Sequence, residues 1–303
     1  MKISIVLPAF NEQGNLKAVT HELGVVLKGL DYKIIFVDDG SQDNTLDALK
    51  KLRGENPRIH FLSFSRNFGH QNALKAGLDH ADGDCVVVMD CDMQHPPGML
   101  PEMIALWQKG YEVVYTIRHD KKGTPFFKRS SASLFYSILN SLSEVPIDPG
   151  RADFFLIDKK VVDVLRNYDE SSLFFRGMIP WIGFKQVGLD YTPAPRLSGK
   201  TKYSFKKMFE FAVDGVTSFS IKPLRAAIFL GFFVSTGAVC YLIYILYQRL
   251  FTNLTVPGWT SILASVLLLG GIQLISLGII GEYLGKLFMH SKKRPKYIIR
   301  EKS

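Results

Sequence analysis

Short apolar runs alternate with stretches of helical period through about the first 120 residues. ISIVLPAF, YKIIFVDD, IHFLSFS, CVVVMD and EVVYTIR are rich in β-branched residues and read as strands. Between them NLKAVTHELGVVLKGL, TLDALKKL, GHQNALKAGLDHA and PGMLPEMIALWQKG carry apolar positions three and four apart, the spacing of amphipathic helices. Strand–helix alternation predicts an α/β domain, a mostly parallel sheet with helices on both faces, over residues 1–203. Ligands of such sheets bind beyond the carboxyl ends of the strands.

The pattern then changes. Ala226 to Tyr247 and Trp259 to Gly281 are uncharged apolar runs, each long enough for a bilayer, which needs about 20 residues. The connection YQRLFTNLTVPG has room only for a turn. This predicts a transmembrane hairpin over 224–288, with spans at about 224–247 and 259–284, and a basic tail over 289–303. KMFEFAVDGVTSFS, in 204–223, reads as an interfacial amphipathic helix. The paired small residues Gly231/Ser235 and Gly281/Gly285 are candidate helix-contact faces.

Charge sets the expected topology. The 303 residues carry a net +9, and much of the excess flanks the spans. Lys200, Lys202, Lys206, Lys207, Lys222 and Arg225 precede the first; Lys286, Lys292, Lys293, Arg294, Lys296 and Arg300 follow the second. Only Arg249 lies in the connection. The positive-inside rule therefore places both termini and the α/β domain on the cytoplasmic side of the plasma (inner) membrane, in a multi-pass protein. MKISIVLPAF runs straight into NEQGN, too short an apolar stretch for a signal peptide. No nucleic-acid-binding motif accompanies the basic residues, and no nucleic-acid partner is expected. The three cysteines show neither metal spacing nor a disulfide framework.

Three strand ends carry acidic or amide groups: Asn11 and Glu12, Asp38 and Asp39, Asp90 and Asp92. In VVVMDCDMQHPP, Asp90, Asp92 and Gln94 would share one face if the strand continued. Two carboxylates on one face repel unless a cation lies between them, and a hard ion such as Mg²⁺ takes carboxylate and phosphate oxygens together. The alternative is a pair of solvated turn aspartates before Pro96–Pro97. In VDDGSQDNT, Gly40 permits a tight turn and Ser41 reads as an N-cap. Asp38 and Asp39 either serve that turn or accept hydrogen bonds from a nucleobase or ribose. His95 reads as a polar loop residue, since Mg²⁺-type sites prefer oxygen. A dinucleotide fingerprint, a P-loop and a nucleophile elbow are all absent.

LPAFNE, VDDGSQDNT, SRNFGHQNALKAGLDHADGD and MDCDMQHPP resemble the catalytic domain of family 2 glycosyltransferases. LFFRGMIPWIGFK, RLSGKTKYSFKKMF, DGVTSFSIKPLR, GIIGEYLG and KKRPKYII are similar to the polyprenyl-phosphate glycosyltransferases within it. The resemblance covers nearly the whole chain. It implies a GT-A fold, a nucleotide-sugar donor (a UDP-sugar of glucose or an N-acetylhexosamine), Mg²⁺ or Mn²⁺, undecaprenyl or another polyprenyl phosphate as acceptor, and a homotetramer. By residue matching, Asp90, Asp92 and Gln94 hold the metal. Pro8, Glu12, Asp38, Asp39 and Asp90 meet the nucleotide-sugar. Arg118, Arg129 and Ser133 take the lipid phosphate, with Arg196 and Lys202 on a loop that closes over donor or acceptor. Asp92 and Asp153 are the catalytic candidates, Asp153 orienting the acceptor or acting as base. One departure stands out: in RADFFLID, Phe155 occupies a position where the family often has arginine, which leaves open whether Arg151 substitutes. A polysaccharide synthase would bring a Gln-x-x-Arg-Trp motif and more spans, neither present. A membrane-anchored nucleotide-sugar-binding protein without turnover is the other alternative.

Overall fold

The computed structural model describes residues 1–119, 150–170, 173–193, 217, 220–251 and 258–303. Five strands, β1 (Lys2–Ala9), β2 (Asp31–Asp38), β3 (Ile59–Phe64), β4 (Cys85–Val88) and β5 (Val113–Arg118), form where the apolar runs stand. Helices α1 (Leu16–Val26), α2 (Thr45–Glu55), α3 (His70–His80) and α4 (Leu100–Gln108) fill the intervals. β6 (Arg151–Asp158), α5 (Lys159–Arg166), α6 (Phe175–Trp181) and β7 (Gln186–Tyr191) follow. Two long helices, α7 (Lys222–Phe251) and α8 (Trp259–Ser291), precede a short last strand, β8 (Ile299–Lys302).

The sheet order is β7-β5-β6-β4-β1-β2-β3-β8. β1, β2, β3 and β4 pair in parallel, and so do β5 and β7. β6 runs antiparallel between β4 and β5, and β8 runs antiparallel along β3. The sheet is therefore mixed, with the parallel pairings in the majority, as the α/β pattern predicts. Each face carries one apolar cluster, as alternation requires. Val87, Phe154 and Leu156 lie in the cluster with Leu16, Val19 and Leu23 of α1, while Val86, Val88, Phe155 and Ile157 lie in that of α3, α5 and α6. Pro8 is tolerated in central β1 because β4 pairs only along Ile3–Val6, so no ladder bond is lost there.

One local expectation changes and two gain detail. Ser41 does not cap α2, whose N-cap is Asn44; the Ser41 hydroxyl instead accepts from the Asn11 amide at 2.9 Å. The second apolar helix runs to Ser291, past residue 284, and its Tyr283 hydroxyl donates to the Ser220 carbonyl at 2.6 Å. The basic tail contains β8, a strand that the charged IREK stretch concealed; an edge strand can carry such charge.

α7 and α8 are long and apolar enough to cross a membrane, and their most apolar windows bury nothing within the chain. Phe232 and Leu274, for example, are fully outward-facing, at 66% and 72% exposure. Apolar surface on this scale needs a non-aqueous environment. A Cβ at Gly231, Gly281 or Gly285 would meet open space, so these small-residue faces are not closed by the hairpin itself. The interfacial-helix stretch falls outside the described residues, apart from 217 and 220–223.

Candidate active site

The loops after β1, β2 and β4 meet at one edge of the sheet. β4 ends at Val88, so Asp90, Asp92 and Gln94 do not extend a strand. A turn with Met93 at φ 62° replaces it, yet the alternation survives: Cys91, Met93 and His95 are buried while Asp90, Asp92 and Gln94 are half-buried and open. Asp92 Oδ1 accepts from the Gln94 amide at 3.0 Å, which holds the turn. His95 Nδ1 accepts from the Asp90 amide at 3.0 Å, and its ring stacks on Phe154 with centroids 5.0 Å apart. Burial holds its pKa below the ordinary imidazole value. His95 therefore fixes the Asp90 backbone from beneath.

The Asp90–Asp92 pair offers hard oxygen donors on an open surface. Among the described residues no set of three His, Cys, Asp or Glu forms a closed metal cage. Two carboxylates and an amide oxygen fit a cation that keeps waters and takes substrate phosphate oxygens, which is the habit of Mg²⁺.

Both aspartates after β2 serve the loops. Asp38, 1% exposed, accepts from the Ser41 amide at 3.0 Å and from the Ser63 hydroxyl at 2.7 Å. Asp39, 4% exposed, accepts from the Phe68 amide at 2.6 Å and the Gly69 amide at 3.0 Å. Burial raises its pKa and those two amides oppose the rise. Both side chains thus hold the turn, and Asp39 ties the SRNFGH loop to the end of β2. Gly40 has φ 69°, and a Cβ there would lie 2.4 Å from the Arg66 carbonyl carbon. Glu12 Oε2 accepts from Asn15 Nδ2 at 2.6 Å, while its amide donates to Thr45 Oγ1 at 3.0 Å. Asn11, at φ 58°, accepts from the Gln42 amide at 2.8 Å, so the first two loops are cross-linked.

On the α3 side of the sheet lies a group that residue spacing did not reveal. α6 packs on β6 and sends Arg176 to Asp153: Nε to Oδ1 and Nη2 to Oδ2, both 2.9 Å. This is the two-pronged guanidinium–carboxylate geometry. Asp153 is 8% exposed at the side chain, and His70 Nε2 stands 3.6 Å from it and 3.7 Å from Asp90. Burial alone would raise the Asp153 pKa; the Arg176 guanidinium overrides it, with His70 adding, and holds the carboxyl well below its usual range. A carboxyl held this low favours the ionised form, which suits orienting a cation or the acceptor better than taking up a proton. Arg151 does not reach Asp153. Its guanidinium lies 3.7 Å over the Tyr115 ring and donates to Gln186 Oε1 at 3.2 Å.

Arg118 ends β5 and is exposed, opposite Tyr191 in the β5–β7 register. The Tyr191 hydroxyl is buried with no hydrogen-bond partner among the described residues, and burial pushes its pKa up to about 12. Neither Arg176 nor Tyr191 stood out by spacing; Arg176 lay inside the LFFRGMIPWIGFK resemblance without an assigned role. Arg129, Ser133, Arg196 and Lys202 lie outside the described residues.

A family model for glycosyl transferase family 2 matches residues 4–166. The chain belongs to that family. Relatives match it nearly end to end. The uncharacterized glycosyltransferase YkcC of Bacillus subtilis is 41% identical over 307 residues, 99% of this chain and 94% of its own. The bactoprenol glucosyl transferase of Shigella phage SfV is 38% identical over 302 residues, 99% of this chain and 98% of its own. A prophage bactoprenol glucosyl transferase homolog of Escherichia coli K12 is 38% identical over 302 residues, covering 99% of each. The mixed α/β sheet is accordingly the GT-A type of this family. Asp38, Asp39, Asp90, Asp92 and Asp153 all fall within the family match, whereas Arg176 lies beyond it.

Proposed function

We propose that this glycosyltransferase moves a single sugar from a UDP-sugar to the phosphate of undecaprenyl or another polyprenyl phosphate, at the cytoplasmic face of the plasma membrane, with inversion. Glucose is the best-supported sugar, ahead of an N-acetylhexosamine. The observation that carries the reading is the end-to-end match to bactoprenol glucosyl transferases, apolar helices included. In the reaction a phosphate oxygen of the lipid attacks the anomeric carbon, the bond from that carbon to the diphosphate breaks, and UDP leaves. A phosphate acceptor is already ionised near neutral pH and needs no base, which agrees with the depressed Asp153. Asp153 instead fixes the plane of the Arg176 guanidinium, and Arg176 and Arg118 are the described cations for the acceptor phosphate. Asp90, Asp92 and Gln94 would hold Mg²⁺ or Mn²⁺, whose charge offsets that developing on the leaving diphosphate. Arg129, Ser133, Arg196 and Lys202 complete the proposed acceptor site.

The orientation has support from β8. The chain leaves the catalytic domain, runs through α7 and α8, and returns to pair with β3, so two crossings bring both ends to one side. Basic flanks make that side cytoplasmic. A homo-oligomer, tetrameric by resemblance, is part of the same proposal. The phenylalanine at 155 no longer favours a binding protein without turnover, because Arg176 supplies a guanidinium to Asp153. The test is a panel of radiolabelled nucleotide sugars with undecaprenyl phosphate, Mg²⁺ or Mn²⁺, and membranes holding the wild type or Asp92→Asn. Label entering the organic phase from one donor, and lost in the variant, is expected. No lipid-linked label from any donor, with donor binding intact, would overturn the proposal.

A further inference from the structure

A second cationic site stands where α8 leaves the apolar region. A cavity of about 570 Å³ opens between the catalytic domain and the segment joining α8 to β8. Lys75 of α3 and Arg166 of α5 form its inner wall, and Lys293, Arg294 and Lys296 its outer wall. Lys293 and Arg294 are only two and three residues past Ser291, the end of the second apolar window. At no more than about 3.6 Å per residue, they lie within about 11 Å of it. That is headgroup depth for a helix that spans. Lys75 is five residues along α3 from His70, about 8 Å of helical rise, so the cavity is separate from the catalytic edge.

The outer wall is built rather than loose. Lys296 Nζ donates to the Tyr168 carbonyl. The Tyr297 hydroxyl donates to Asp79 Oδ2 at 2.9 Å, and its ring stacks on Phe64 with centroids 5.3 Å apart. β8 then pins the chain to β3, with the Ser65 amide donating to the Ile298 carbonyl at 3.0 Å and the Ser303 amide to the Phe61 carbonyl at 3.1 Å.

Charge in the cavity does not balance. Five cations line it with two carboxylates, Asp79 and Asp169; just outside the lining Asp163 pairs with Arg166 at 2.9 Å and Glu170 lies near Lys296, so the cations left over are Lys293 and Arg294. Asp79 is already engaged by Lys75 on one oxygen and Tyr297 on the other. Asp169 is 88% exposed and only 3.7 Å from Lys296. Burial holds the Lys296 pKa down, and the nearby Lys75 charge adds to that. Lys293 and Arg294 are exposed, and no side-chain hydrogen bond or ion pair engages them among the described residues. Beside the cavity Tyr168 meets Trp181 edge-on, with centroids 5.8 Å apart, and Trp181 is 56% exposed. An exposed tryptophan next to lysines and an arginine is the composition of a membrane-interface belt.

We propose that this cavity is a binding site for the headgroup of an anionic phospholipid, its phosphodiester held by Lys293 and Arg294 above the wall formed by Lys75, Arg166 and Lys296. A free phosphate has the same chemistry, but the place of the cavity next to α8 favours the lipid.

The full chain, in nanodiscs of phosphatidylcholine and phosphatidylglycerol, tests this. After extraction into mild detergent, mass spectrometry of the retained lipid gives phosphatidylglycerol enrichment over the bulk mixture. Lys293→Gln/Arg294→Gln is expected to lower that enrichment about thirtyfold, since each of the two basic residues near an anionic surface contributes on the order of 1 kcal/mol. Lys292→Gln/Arg225→Gln removes the same charge from membrane-flanking positions that do not line the cavity, and is expected to retain most of the enrichment. Equal losses in the two variants would reduce the site to diffuse charge attraction and overturn the proposal. So would displacement of the lipid by millimolar inorganic phosphate, which would mark a free-phosphate site. The readout is lipid retention, not sugar transfer, so it succeeds or fails independently of the proposed activity.

Discussion

Replacing Arg176 with methionine removes the guanidinium from Asp153 and keeps most of the side-chain volume. The carboxylate left behind is 8% exposed. Breaking a buried pair from one side costs about 3–5 kcal/mol. His70 remains 3.6 Å away and compensates in part, so the lower end, about 3 kcal/mol, is the expected loss. For a domain of this size that lowers Tm by about 6–12 °C. The pH dependence has a definite sign. In the wild type the folded pKa of Asp153 is depressed, so its contribution is fully present above the unfolded value of about 4 and is lost only as pH falls through the lower folded value. Between pH 8 and 5 the Asp153 carboxyl itself does not titrate, while His70, whose pKa burial would lower but Asp153 and Asp90 raise, gains charge as pH falls. In the variant, burial dominates and raises the Asp153 pKa, so protonation relieves the buried charge and the deficit shrinks as pH falls toward 5. Asp153→Leu in the Arg176→Met background removes both charges and should restore most of the Tm. Thermal melts followed by tryptophan fluorescence in detergent, from pH 5 to 8, measure all three proteins. A loss below about 2 °C at pH 7.5, or one that grows on acidification, would refute the reasoning.

Gly40→Ala places a methyl group 2.4 Å from the Arg66 carbonyl carbon at a positive φ; a loss of about 2 kcal/mol or more is expected in the same melts. Ser63→Ala removes the hydroxyl that donates to buried Asp38, with an expected cost of about 1–3 kcal/mol. Tyr191→Phe deletes a buried hydroxyl that has no partner among the described residues; the variant should melt at or above the wild-type temperature, and a fall of several degrees would show that the hydroxyl is satisfied.

How much of this was legible in the sequence differs by element. β1 to β5 were readable because β-branched runs bounded by polar loops leave little other choice. β6 escaped because Arg151 and Asp153 interrupt its apolar pattern, although both are buried in the folded chain. β8 escaped because IREK is short and charged. The opening on 90, 92 and 94 was foreseen, but by a continued strand; the structure reaches the same alternation through a turn at Met93 and the support of His95. The loop partners of Asp38 and Asp39 needed coordinates, since Asp–Gly signals a turn without saying which amides its carboxylates take. The Arg176–Asp153 pair is 23 residues apart in sequence, and no local spacing rule spans that distance.

Phe155 and Arg176 explain each other. Position 155 shares its face of β6 with Asp153, two residues away, and it is 2% exposed in the cluster that holds Phe175, Met178 and Ile179 of α6. An arginine there must displace that packing or lie buried with its charge. With phenylalanine at 155, α6 can seat its apolar residues against the sheet, and the same seating brings Arg176 to Asp153. The guanidinium that the motif lacks on the strand therefore arrives from the helix packed over it. It follows that Phe155→Arg should not act as a restoration of the family pattern. With Arg176 in place it adds a second buried cation beside a carboxylate already held at both oxygens, and unpairing or displacing α6 is the only way to accommodate it. Loss of stability in Phe155→Arg, eased when Arg176 is also replaced, would separate this exchange of roles from simple loss of a core ring.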